Sequence, residues 1–156
     1  MGVVGAGKTT IGGLLAQQLG WYFADADDYH APANKRKIQH GISLTDADRE
    51  PWLRRLKQEI ENWIASGKNV VLACSALKRK YREELKMGPE VKFVYLKGNA
   101  PLIDSRLQAR KGHFADNKIL ASQLADLEEP GDALTVSIDE SPEQMVVTIR
   151  QGLELA

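Results

Sequence analysis

Gly2-Val3-Val4-Gly5-Ala6-Gly7-Lys8-Thr9 fits the spacing G-x-x-x-x-G-K-[ST] of a phosphate-binding loop, directly ahead of a helix-forming run. Each position has a physical reason. Gly2, Gly5 and Gly7 carry no Cβ, so backbone N–H groups can turn inward around phosphate oxygens, and Ala6 contributes through its backbone in the same way. Lys8 adds a point charge for the terminal phosphates. Thr9 offers a hydroxyl to Mg2+, and Thr10 follows it in the first turn, where the helix dipole is positive. The expected ligands are ATP and Mg2+.

Asp25 and Asp27 lie two apart at the end of a short apolar run, Trp21–Ala24. In extended backbone both would project to one side. Phosphoryl transfer to an alcohol needs a carboxylate that orients the hydroxyl and accepts its proton, often with a second carboxylate near the metal. Asp27 is therefore the expected base, and Asp25 is expected in the metal's water shell. Arg106, Arg110, Lys111 and His113 surround a glycine-containing break, where their charge could close over the transferring phosphoryl group or simply face water. Lys78, Arg79, Lys80 and Arg82 pose the same choice for an anionic acceptor. Arg49 can take a carboxylate bidentately. Asp46 and Asp48 need no role beyond an acidic first helical turn. Cys74, Trp52 and Trp63 read as core, and His40 as surface.

The elements that must position these groups alternate. Leu14, Leu15 and Leu19 extend a helix from the loop to Gly20. Residues 21–25 form a strand, and 26–48 a polar stretch rich in turn formers. Trp52, Leu53, Leu56, Ile60, Trp63 and Ile64 mark an amphipathic helix ending at Gly67. Val70–Cys74 is a continuous apolar run, as in a strand buried on both faces. A basic helix over 78–86, a strand over 91–96, helices around 102–107 and 119–127, a strand over 134–138 and a Ser141-capped helix to about Leu153 follow. This alternation predicts an α/β fold with a parallel sheet, whose ligands sit beyond the carboxyl ends of the strands.

With 156 residues, one domain spanning 1–156 is expected. Lys+Arg and Asp+Glu are 21 each, a balance that argues against a nucleic-acid or acidic-membrane binder. One cysteine excludes an internal disulfide and suits a reducing cytoplasm. No apolar window approaches the roughly 20 residues of a membrane span, and no signal-peptide pattern opens the chain. An N-K-x-D guanine-reading motif and an apolar strand ending in a lone Asp are both missing, which favours a small-metabolite kinase over GTPases and motor ATPases.

Five segments together carry a family resemblance: the phosphate loop, Asp25-Ala26-Asp27-Asp28-Tyr29-His30, Leu44-Thr45-Asp46-Ala47-Asp48-Arg49-Glu50-Pro51-Trp52-Leu53, Cys74-Ser75-Ala76-Leu77-Lys78 and Arg110-Lys111-Gly112-His113-Phe114. The chain resembles the gluconokinases, P-loop small-molecule kinases, over nearly its whole length. The third and fourth segments are the diagnostic ones. The resemblance implies a three-layer α/β/α P-loop fold of nucleoside-monophosphate-kinase type, a lid over about 106–128, and transfer of the ATP γ-phosphoryl to the 6-hydroxyl of D-gluconate for the pentose phosphate route. By the same resemblance, Asp27 contacts the attacking hydroxyl. Arg49, Ser75 and Lys78, with His30 nearby, hold the polyol acid, and Arg106 and Arg110 close on the phosphates. Homodimers are common in such a family.

The chain departs from that pattern in two places. Val4 and Ala6 stand where serines are common, a change that backbone N–H binding tolerates. Only Met1 precedes the loop, where the family has a central apolar strand. About five buried apolar residues, at about 1.5–3 kcal/mol each, would be forfeited, so a truncated or poorly folding form is expected. The competing readings are a kinase for another small acid, such as shikimate, and a non-catalytic nucleotide binder.

Overall fold

The computed structural model describes residues 1–109 and 114–155. Helix α1 (Lys8–Leu19) begins at Gly7 and ends at Gly20, both left-handed, with φ of 97° and 68°. Strand β1 (Tyr22–Asp25) follows, then a 3-10 turn (Ala26–Tyr29) and helix α2 (Pro32–Gln39). The polar stretch 26–48 is therefore more ordered than its composition suggests. Helix α2 has no fully buried residue, so apolar periodicity gives it no signature, although Pro32 sits at its first turn. Helix α3 (Asp46–Ser66) starts at a capping box: Thr45 Oγ1 accepts from Asp48 N–H, and Asp48 Oδ2 accepts from Thr45 N–H, both at 3.0 Å.

Strand β2 (Val70–Ala73), helix α4 (Arg79–Leu85), strand β3 (Val94–Lys97), helix α5 (Ala100–Gln108), helix α6 (Phe114–Asp126), strand β4 (Leu134–Ser137) and helix α7 (Pro142–Gly152) complete the order. The expected strand over 91–96 is shifted: pairing begins only at Val94, opposite Leu134. Asn99 and Ser141 cap α5 and α7 with their side chains. Among the described residues no helix is long and apolar enough to cross a membrane.

The strands pair in parallel as two ribbons, β1 with β2 and β3 with β4. Met1 and Gly2 join them. The Met1 amine donates to Val94 O at 2.5 Å, Leu96 N–H donates to Met1 O at 2.9 Å, and Gly2 N–H donates to Ser75 O at 3.3 Å on the other side. Met1 thus stands in parallel register between the two ribbons, opposite Tyr95. Beyond it lies a cavity of about 530 Å³ between β2 and β3, lined by Met1, Gly12, Leu15, Trp63, Val71 and Phe93 among others.

Two apolar clusters make the helical layers. Ile11, Leu15, Ile103, Leu107, Val146 and Ile149 join α1, α5 and α7 with β3 and β4. Leu56, Ile60, Tyr81 and Leu85 join α3 and α4 behind β2. This is the α/β arrangement expected from the alternation of elements, and it brings the phosphate loop and the ends of β1 and β2 to one edge.

Candidate active site

The phosphate loop is braced from behind by α5. Gly5 has a φ of 82°, and a Cβ there would stand 2.9 Å from Leu107 Cδ2 and 3.1 Å from Ile103 Cγ2. Among the described residues no side chain caps the first turn of α1, which leaves its amides available to an anion. Lys8 folds over the loop, its Nζ donating to Val3 O at 3.0 Å. Val4 N–H donates to Gln123 Oε1 at 2.6 Å, which seats α6 on the loop.

Thr9 Oγ1 lies 3.5 Å from Asp25 Oδ2. Asp25 also caps the 3-10 turn, its Oδ1 accepting from Asp27 N–H at 2.9 Å. The expected geometry of this pair needs correction. Asp27 is not on extended backbone but inside that turn, and the turn, rather than strand alternation, sets it beside Asp25. Burial raises the Asp27 carboxyl above the ordinary range. The negative charge of Asp25 raises it further, and Lys8 partly offsets this.

Trp52 ties this turn to α3. Its Nε1 donates to Ala26 O at 2.7 Å, and its ring stacks on His30 at 4.6 Å and 10°. His30 is buried, and its Nδ1 has no hydrogen-bond partner among the described residues. Burial, then the charges of Arg49 and Lys35, lower its pKa to about 4, so the ring is neutral at pH 7. Trp52 therefore serves as core, as expected, and also positions the turn.

Arg49 leaves α3 one turn earlier. Its Nη1 donates to Tyr81 Oη at 3.1 Å, and its Nη2 is 3.6 Å from Asp126 Oδ2. Lys78, just after β2, donates to Asp46 Oδ1 at 3.1 Å. Ser75 is half-buried and offers its carbonyl to Gly2. Ala76 beyond it is buried with a φ of 46°, a strained value for a residue with a Cβ. Arg106 faces elsewhere: its Nη2 donates to Ile138 O at 2.6 Å, past the end of β4. Arg110, Lys111 and His113 lie outside the described residues.

A family model described as "Shikimate kinase" matches residues 4–149. Gluconokinase from Gluconobacter oxydans is 47% identical over 134 residues, covering 85% of this chain and 75% of that protein. A probable gluconokinase from Mus musculus is 40% identical over 175 residues, covering 99% and 95%. The chain belongs to the gluconokinase family. The solved gluconokinase from Sinorhizobium meliloti superposes with a TM-score of 0.87 at 36% identity, covering 99% of this chain and 89% of that one. Gluconokinase relationship and phosphate loop agree that the chain is a phosphotransferase acting on an alcohol group.

Gluconokinase-family membership frames what the sequence missed. Gln123, Tyr81 and Asp126 reach the site but carry no motif. Asp46, which its position explains as part of an acidic first helical turn, is the centre of a charge cluster. Asp48 fills its expected place and also pairs with Lys37 at 3.1 Å. Cys74 is buried, as expected of core, and burial pushes its thiol up to about 11.

Proposed function

We propose that this chain transfers the γ-phosphoryl group of ATP to the 6-hydroxyl of D-gluconate, giving 6-phospho-D-gluconate and ADP. The observation that carries the reading is the placement of Asp27. It is a solvent-reachable carboxyl whose pKa is raised by partial desolvation and by Asp25 and partly offset by Lys8 of the phosphate loop, in a chain 47% identical to a gluconokinase. In the reaction the hydroxyl oxygen forms the new P–O bond as the bond to the ADP oxygen breaks. Asp27 accepts the hydroxyl proton.

The residues present fit ATP and Mg2+. Gly5 and Gly7 give the loop left-handed backbone, with φ of 82° and 97°, the first-turn amides of α1 are not capped by side chains among the described residues, and Thr9 and Asp25 converge. Thr9 Oγ1 would hold the ion directly, and Asp25 would hold its water shell. When bound, Mg2+ supplies charge neutralisation across the phosphates. Gly2, Gly5, Ala6, Gly7, Lys8, Thr9 and Thr10 line the nucleotide side. Lys8 would hold the terminal phosphates, and Arg106, once released from Ile138 O, and Arg110 are assigned to the same phosphates.

On the acceptor side, Arg49 and Lys78 hold the carboxylate, while Ser75 and His30, whose Nδ1 has no partner among the described residues, serve hydroxyl groups. A neutral His30 accepts a hydrogen bond there without repelling the cations beside it.

The test is ATP consumption with D-gluconate, coupled to 6-phosphogluconate dehydrogenase. Gluconate-dependent reduction of NADP is expected. A folded chain that consumes ATP with shikimate but not with gluconate overturns the substrate assignment.

A further inference from the structure

Asp46 sits in the middle of the cations that the acceptor needs. Its Oδ1 accepts from Lys78 Nζ at 3.1 Å and from the Tyr81 hydroxyl, and lies 3.8 Å from Arg49 Nη1. Its Oδ2 accepts from Lys80 Nζ at 2.8 Å. These contacts from Lys80, Tyr81 and Lys78 hold the carboxyl well below the usual carboxylate range, so it is ionised at any working pH.

Three features separate this arrangement from an ordinary structural ion pair. The helix start does not depend on it, because the capping box of α3 is made by Thr45 and Asp48. The Asp46 side chain is 49% exposed whereas Arg49 is 15% exposed, so the carboxylate can swing to solvent while the guanidinium stays in place. Among the described residues Lys78, Lys80 and Arg49 outnumber Asp46 and Asp126, the carboxylates paired with them, so the cluster attracts an anionic acceptor.

We infer that Asp46 holds the place of the acceptor's carboxylate between turnovers, and that an acid sugar enters by exchanging its own carboxylate for that of Asp46 on Lys78 and Arg49. The inference rests on the gluconate reading above and adds to it a source of selectivity. Exchange of one carboxylate for another keeps the charge balance of the cluster. A neutral polyol brings no replacement charge, so Asp46 stays on its cations and the acceptor pocket stays closed. Asp46 is thus a specificity-determining residue that works by competition rather than by contact with substrate.

The experiment compares wild type, Asp46→Asn and Lys80→Met by steady-state kinetics with D-gluconate, with thermal melting to check folding. Asp46→Asn removes the competing charge, and its KM for gluconate is expected to fall roughly 3–10-fold, the scale of one or two exposed ion pairs, with kcat within about twofold. Lys80→Met loosens the outer hold on Asp46 without touching Lys78 or Arg49, and KM is expected to fall in the same direction by a smaller factor. A residue that merely holds Lys78 and Arg49 in position gives the opposite sign. A raised or unchanged KM in both folded variants overturns the inference while leaving gluconate phosphorylation by the wild type intact. A wild type that does not phosphorylate gluconate removes the reading of the reaction, and the inference with it.

Discussion

Gln123 on α6 accepts a hydrogen bond from the backbone N–H of Val4 in the phosphate loop, at 2.6 Å, across 119 residues of sequence. One side chain thereby links the loop that holds phosphate to the helix expected to form part of the lid. Replacement by alanine leaves that amide without its acceptor and loosens α6 from the loop. For Gln123→Ala we expect the KM for ATP to rise roughly 3–10-fold, the scale of one hydrogen bond. Titration of ATP at saturating gluconate checks this, and an unchanged KM means that the contact does not govern nucleotide binding.

Asp27→Asn should separate catalysis from stability. As the proton acceptor, Asp27 is expected to contribute roughly 10²–10⁴ in kcat, with ATP affinity near that of wild type. The same carboxyl has a raised folded pKa. Its contribution to stability is therefore present below the ordinary carboxylate pKa and is lost as pH rises through the folded value. At pH 7 the variant should melt higher than wild type while turning over far more slowly. A variant that is both active and no more stable contradicts both assignments.

His30 sets an acid limit. Its pKa falls from 6.5 to about 4 on folding, mainly through burial. The unfolded chain therefore binds a proton between these values that the folded chain does not. The His30 contribution should be flat above about pH 6.5 and decline as pH falls toward 4. Denaturant melts of wild type and His30→Phe at several pH values test this. Loss of that slope in the variant is the expected result, and an identical slope assigns the acid sensitivity elsewhere.

Two glycines should respond oppositely to alanine. At Gly5 the φ of 82° and the 2.9 Å approach of Leu107 both resist a Cβ. Gly5→Ala should cost roughly 1–3 kcal/mol and weaken ATP binding. At Gly13, inside α1, a Cβ meets nothing within 4 Å. Gly13→Ala should gain about 0.5–1 kcal/mol from helix propensity. Urea melts of the two variants decide both claims.

What the sequence made legible was local. The loop motif, the helix stop at Gly20, the Ser141 cap and the apolar run Val70–Ala73 each declare themselves within a few residues. Asp25 and Asp27 are legible as a pair, but the turn that sets their relation is not, since a spacing of two places them on one side in extended backbone as well. Helix α2 escaped notice because it buries no apolar face. Lys78, Lys80 and Tyr81, which hold Asp46, lie 32 to 35 residues from it, and the Arg106 contact with Ile138 spans 32. Such contacts arise from how the helices dock, and no spacing rule reaches them.

The left-handed backbone of Ala76, with a φ of 46°, lies between Ser75 and Lys78, the two acceptor-side residues that follow β2. A residue with a Cβ keeps that shape only because its buried surroundings enforce it. The segment 75–78 is thus shaped by the fold around it and not by its own preference, so a free peptide of this sequence should not adopt the same backbone.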